Sequence, residues 1–122
     1  MSRELSIAVI DDDDSFRIAL VESLCSQGYG ARGFTSAEEF LGGDGCRFSD
    51  CVITDIHMPG MSGLDLKREL KGRGSKVPVV MITARAEPSL EAHAAGGGAI
   101  CLLRKPFKAK DLVDCLGRAL KV

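Results

Sequence analysis

Five short apolar runs alternate along the chain with five segments of helical periodicity, and that alternation leaves few folds open. The runs are Leu5–Ile10, Tyr29–Phe34, Cys51–Thr54, Val77–Ile82 and Ala99–Leu103. All but Tyr29–Phe34, a short and weak strand candidate that holds Arg32, are largely continuous in apolar character. Strands buried on both faces read that way, whereas half-exposed strands alternate apolar and polar residues. After the first run, Phe16, Ala19, Leu20 and Leu24 recur at helical spacing until Gly28. Ser36 and Glu39 resemble a capping box for a brief helix through Phe40 and Leu41, followed by a Gly42–Gly45 loop. Leu64, Leu66 and Leu70 mark a third helix that Gly72 and Gly74 close. A fourth is expected from Pro88 to Ala95, ended by Gly96, Gly97 and Gly98. The last runs from about Ala109 to Lys121, with Leu112, Val113, Leu116, Ala119 and Leu120 on one face. Strands and helices in strict alternation give a parallel α/β sheet covered on both faces, whose functional crevice lies at the carboxyl ends of the strands.

Composition bounds the function. At 122 residues the chain is expected to be one domain, and 45% hydrophobic residues suffice for a core. Sixteen basic against 17 acidic residues leave a net charge of -1, which argues against direct nucleic-acid binding. With no tryptophan and one tyrosine, base-stacking platforms are equally unpromising. No apolar stretch reaches the roughly 20 residues of a membrane span, and the start, Met-Ser-Arg-Glu-Leu, lacks a secretory apolar region. The five cysteines, Cys25, Cys46, Cys51, Cys101 and Cys115, contain no CxxC pair. They read as reduced, packed thiols of a cytoplasmic protein, not as a disulfide framework or zinc site.

Chemically suggestive residues fall just after the runs. Asp11, Asp12, Asp13 and Asp14 follow the first, Asp55 follows the third, Thr83 closes the fourth and Lys105 follows the fifth. Asp13 and Asp14 need no role beyond a helix start, where aspartates cap and complement the dipole. Carboxylates brought together repel one another by about 4 kcal/mol per pair at 4 Å and an effective dielectric near 20. A lysine or a divalent cation relieves that, and hard oxygen donors suit Mg²⁺.

The segments Val9-Ile10-Asp11-Asp12-Asp13, Val52 to Gly63, Met81-Ile82-Thr83-Ala84 and Lys105-Pro106-Phe107 together resemble a response-regulator receiver domain of two-component systems. The wording around Asp55 and the Lys-Pro-Phe ending is most similar to the nitrogen-fixation and nodulation regulator branch. The resemblance covers residues 1–122 and implies a flavodoxin-like three-layer αβα fold. That fold has a five-stranded parallel sheet in the order 2-1-3-4-5 and five helices. It implies Asp55 as phosphoacceptor for a partner sensor histidine kinase. Asp11, Asp12 (the more direct ligand), Asp55 and the backbone carbonyl of His57 would hold Mg²⁺ or Mn²⁺. Thr83 would turn its hydroxyl toward the phosphoryl group, Lys105 would pair with it, and the Lys105–Pro106 peptide would be cis. An output domain or effector protein, and a homodimer on phosphorylation, are the further partners implied; no output domain lies in these 122 residues.

The sequence departs from the family pattern at Leu102, where a switching aromatic usually stands three residues before the lysine. Switching is therefore expected to rest on repacking of Ala84–Gly98. His93, Met58 and Met61 carry no expected chemistry, and only the carbonyl of His57 is used. Two alternatives remain: a pseudo-receiver serving as an interaction module, and a Mg²⁺-dependent phosphohydrolase with an aspartyl nucleophile. Phosphohydrolases of that kind place a second acid two residues after the nucleophile, where this chain has His57. The receiver reading describes no turnover enzyme.

Overall fold

The apolar runs form strands, and all five pair in parallel within one sheet of order β2-β1-β3-β4-β5. In the computed structural model of the chain, residues 5–43, 45–84, 101–105 and 107–120 are described. The strands are β1 (Ser6–Ile10), β2 (Gly30–Phe34), β3 (Cys51–Asp55), β4 (Val79–Thr83) and β5 (Cys101–Arg104). β4 begins two residues later than the apolar run because Pro78 has no N–H for the ladder. Its carbonyl still accepts from Val52 N at 3.0 Å.

Parallel neighbours need crossovers, which helices supply. The described residues contain α1 (Asp14–Ser26), α2 (Ala37–Gly42), α3 (Gly45–Phe48), α4 (Gly63–Gly72) and α5 (Ala109–Leu120). The helix expected at Pro88–Ala95, its glycine run and residues 99–100 lie outside the described residues, as does Lys121. The one-turn α3, in the stretch opening with the expected Gly42–Gly45 loop, is too short to leave a periodic signal. Gly45 fits there because a Cβ would stand 2.9 Å from Phe34 and 3.0 Å from Phe40.

Caps follow the sequence with one shift. Asp13 caps α1, accepting from Phe16 N at 3.1 Å, and Ser62 with Asp65 forms a full capping box on α4. Ser36 accepts from Glu39 N at 3.0 Å, but the Glu39 carboxylate turns to Thr35 N and its hydroxyl, so the box expected there is not reciprocal.

Successive strand residues point to opposite faces, and the core is accordingly split in two. On one face Ile7, Val9, Ile53, Val80, Ile82 and Leu103 meet Leu20 and Leu24 of α1 and Leu112 and Leu116 of α5. On the other, Ala8, Ile10, Val52, Val79 and Met81 meet Phe40 of α2 and Leu66 and Leu70 of α4. Full burial of each large side chain contributes about 1.5–3 kcal/mol. Truncating one, such as the wholly buried Leu66, costs about 2–5 kcal/mol. This packed platform fixes the strand ends.

Candidate functional site

In-register parallel strands bring their carboxyl ends to one edge of the sheet. Ile10 is level with Thr54, Asp55 with Ile82, and Thr83 with Arg104. Asp11 therefore leaves β1, Asp55 ends β3, Thr83 ends β4 and Lys105 leaves β5 at a common edge. Backbone bonds extend the ladder past the strands: Asp11 N donates to Phe34 O at 3.1 Å, Ile56 N to Ile82 O at 2.9 Å, and Lys105 N to Thr83 O at 2.8 Å. Asp11, Asp55 and Thr83 are only 1%, 8% and 2% exposed. Buried polar groups need partners, and those of Asp11 and Asp55 are Lys105 and nearby backbone amides.

The Lys105 ammonium bridges two carboxylates. Its Nζ donates to Asp11 Oδ2 at 2.9 Å and to Asp55 Oδ2 at 3.1 Å. The other oxygens accept backbone amides: Asp11 Oδ1 from Asp13 N at 2.9 Å, Asp55 Oδ1 from His57 N at 3.0 Å. Burial pushes the Asp11 carboxyl above its ordinary range. The Asp13 N–H and the Lys105 ammonium oppose that rise without cancelling it, and the Asp55 charge adds to it. For Lys105, burial works to lower the ammonium, but its hydrogen bonds to Asp11 and Asp55 outweigh burial and raise it above its usual value.

Asp12 is exposed at the mouth of the site. Carboxylate oxygens of Asp11, Asp12 and Asp55 lie within 4.8 Å of one another. Three hard anionic donors so close, with one held up in pKa by burial, match what Mg²⁺ takes. The acidic group thus fits a divalent cation.

Some contributors escaped sequence reasoning. Phe16, read there only as an apolar helix position, lies under the lysine, with Nζ 4.0 Å from its ring centre. Phe107 meets the Phe16 ring edge-on at 6.0 Å. Arg17 donates to the Asp11 carbonyl at 2.8 Å and to Asp14 Oδ1 at 2.7 Å, fixing the turn after β1. Beyond β3, Gly60 adopts φ +76, and the Met61 amide donates to Glu38 Oε2 at 3.2 Å. Gly63 packs so closely that a Cβ would stand 2.5 Å from the Asp55 carbonyl. A glycine at that offset is the only signal the sequence carries for this close approach.

The expected residues are thus placed as follows. Asp11, Asp12, Asp55 and Lys105 come together, and Thr83 ends the strand between Asp55 and Lys105. His57 exposes its side chain and turns its N–H to Asp55. Met58 and Met61 pack on the second core. Leu102 is level with Met81 and packs partly buried against that same core. His93, the Lys105–Pro106 peptide and the switching segment beyond Ala84 lie outside the described residues.

An open parallel sheet of order 2-1-3-4-5, with its charged crevice where the order reverses between β1 and β3, defines a flavodoxin-like α/β domain. The chain belongs to the response regulator receiver domain family, whose profile matches residues 7–116. It is 35% identical over 98% of its length to the response regulator protein TmoT of Ectopseudomonas mendocina, covering 54% of that protein. It is 39% identical over 98% of its length to the transcriptional regulatory protein FixJ of Azorhizobium caulinodans, covering 57% of it. The chain thus spans about half the length of the curated relatives it matches. The crystal structure titled FixJ-N superposes with a TM-score of 0.89 at 26% identity, over 98% of this chain and 96% of that one. These similarities agree with the nitrogen-fixation and nodulation branch. Phosphorylation on aspartate and Mg²⁺ binding are typical of the family, whose members are signalling proteins. Among the described residues no helix is long and apolar enough to cross a membrane.

Proposed function

We propose that residues 1–122 act as one receiver, taking a phosphoryl group on Asp55 from the phosphohistidine of a partner sensor kinase. The observation that carries this is the Lys105 ammonium held between Asp11 and Asp55, 2.9 and 3.1 Å from their oxygens. In transfer, an Asp55 carboxylate oxygen attacks phosphorus in line as the phosphorus–nitrogen bond of the donor breaks, and the electron pair leaves with the imidazole. Lys105 then pairs with the phosphoryl oxygens that replace a carboxylate partner, and the Thr83 hydroxyl donates to them. Asp11, Asp12 and Asp55, with the His57 carbonyl, would hold Mg²⁺ or Mn²⁺, which supplies neutralising charge at the phosphoryl oxygens when bound. The doubly charged group unbalances the site and biases a two-state element reaching a downstream effector or output domain. The domain acts in the cytoplasm, by contact with protein partners or a second copy and not with DNA. The phosphohydrolase reading lacks its second acid, since His57 stands there. Leu102, already packed inward, favours a pseudo-receiver only at the switching step.

Incubation with Mg²⁺ and acetyl phosphate tests the reading by intact mass. One phosphoryl group is expected, absent in Asp55→Asn. No gain in mass, or a gain that survives this substitution, overturns it.

A further inference from the structure

Three cysteines share the core face between the sheet and α5, and two of them line one groove. Cys101 opens β5 and is partly exposed, whereas Cys115 is buried on α5. Both pack in the same cluster, and the Cys101 thiol is near enough to that of Cys115 to perturb its protonation. Arg118, one turn beyond Cys115, donates to its sulfur at 3.8 Å. Both thiols line a groove of about 410 Å³ together with Leu102, Asp111 and Arg118. Cys51, wholly buried on the central strand β3, does not line that groove. Cys25 is exposed on α1.

We propose that Cys101 and Cys115 are a modification site: a thiol pair that hydroperoxides oxidise to a reversible disulfide joining β5 to α5. The proposal is independent of the phosphoryl reading, since neither thiol belongs to the acidic edge. Access divides the roles. The Cys101 thiolate, reachable from the groove, attacks one peroxide oxygen; the O–O bond breaks, giving a sulfenic acid and, after protonation, water. Cys115 then attacks the sulfenic sulfur, the S–O bond breaks, and its thiol proton leaves with the oxygen as a second water. Two thiols and one peroxide thus yield one disulfide and two waters. Burial holds the proton on Cys115, and the neighbouring Cys101 adds to that, so the buried thiol suits the second step. The Arg118 guanidinium favours negative charge on the neighbouring sulfur as that step proceeds.

The test treats the reduced chain with hydrogen peroxide and maps peptides without reductant. Trypsin cuts after Arg104 and Lys110 and so separates Cys101 from Cys115. The expected product has lost two hydrogens, contains the Cys101–Cys115 cross-linked peptide and reverts with dithiothreitol. Cys101→Ser abolishes the cross-link, while Cys115→Ser leaves a dimedone-reactive Cys101. Should Cys115→Ser fail to fold, the wild-type map decides alone. No cross-link, or one joining either cysteine to another partner instead, overturns the proposal.

Discussion

Lys105 Nζ stands 3.1 Å from Asp55 Oδ2 and shares its protons with Asp11 at 2.9 Å, so one cation holds two buried carboxylates together. Its stem crosses from the end of β5 to the central strand, with 17% of the side chain exposed. Replacing Lys105 with Met keeps the length and deletes the charge. In metal-free buffer the variant is expected to lose about 2 kcal/mol by urea unfolding, below the cost of a fully buried pair because some solvent reaches it. Phosphoryl uptake from acetyl phosphate should fall about a hundredfold, as when a transition-state donor is removed.

Burial raises the Asp11 carboxyl above its ordinary value of 3.8 in the folded chain. The folded state therefore keeps the proton to higher pH than the unfolded state, and ionisation costs stability as pH rises from about 4. Asp11→Asn removes that cost while still accepting from Asp13 N and facing Lys105. Without metal, the variant is expected to be more stable than the wild type at pH 7, and the gap should close on acidification toward pH 4. Urea midpoints across this range check it; a gap constant with pH contradicts the assignment.

Divalent cation should offset the same repulsion. At free Mg²⁺ ten times its Kd, folding is expected to gain about 1.4 kcal/mol. Asp12→Ala removes the exposed carboxylate of the acidic group, and in that variant the thermal midpoint should respond little to Mg²⁺ or to its removal with EDTA.

Two glycines at opposite ends of α4 should respond in opposite directions. A Cβ on Gly63 would meet the Asp55 carbonyl at 2.5 Å and the Ile56 Cα at 3.0 Å, both backbone. Gly63→Ala is therefore expected to cost about 2 kcal/mol and displace the chain where it leaves β3. Gly72 has open space around it, and Gly72→Ala should stabilise by about 0.5 kcal/mol through chain entropy. Denaturant midpoints of the pair separate steric from entropic effects.

The parallel sheet and four of the five expected helices were legible because apolar runs and 3.6-residue periodicity survive in a linear string, whereas the strand order rested on the family resemblance alone. Asp11, Asp12, Asp55 and Lys105 were legible because each ends a strand, and parallel topology turns that shared position into proximity. Phe16 and Arg17 were not. Each sits on α1 within ordinary helical spacing, and only the packing of α1 against β1 and β2 aims them at Lys105 and the Asp11 carbonyl. The one-turn α3 was hidden by its length. The groove shared by Cys101 and Cys115 was equally invisible, since 13 residues separate them along the chain and the strand-to-helix return brings them to one face.

The sheet is a single backbone thick, yet the side chains of its two faces never share a cluster. Energetically, the domain is two half-cores joined by a common wall. Damage on one face, such as Leu24→Ala in α1, should sum with damage on the other, such as Leu70→Ala in α4, with little coupling. Sequence drift can then remodel the face under α2 and α4 while leaving the packing beneath α1 and α5 intact. A fold divided this way can change whom it meets on one side without renegotiating how it is held on the other.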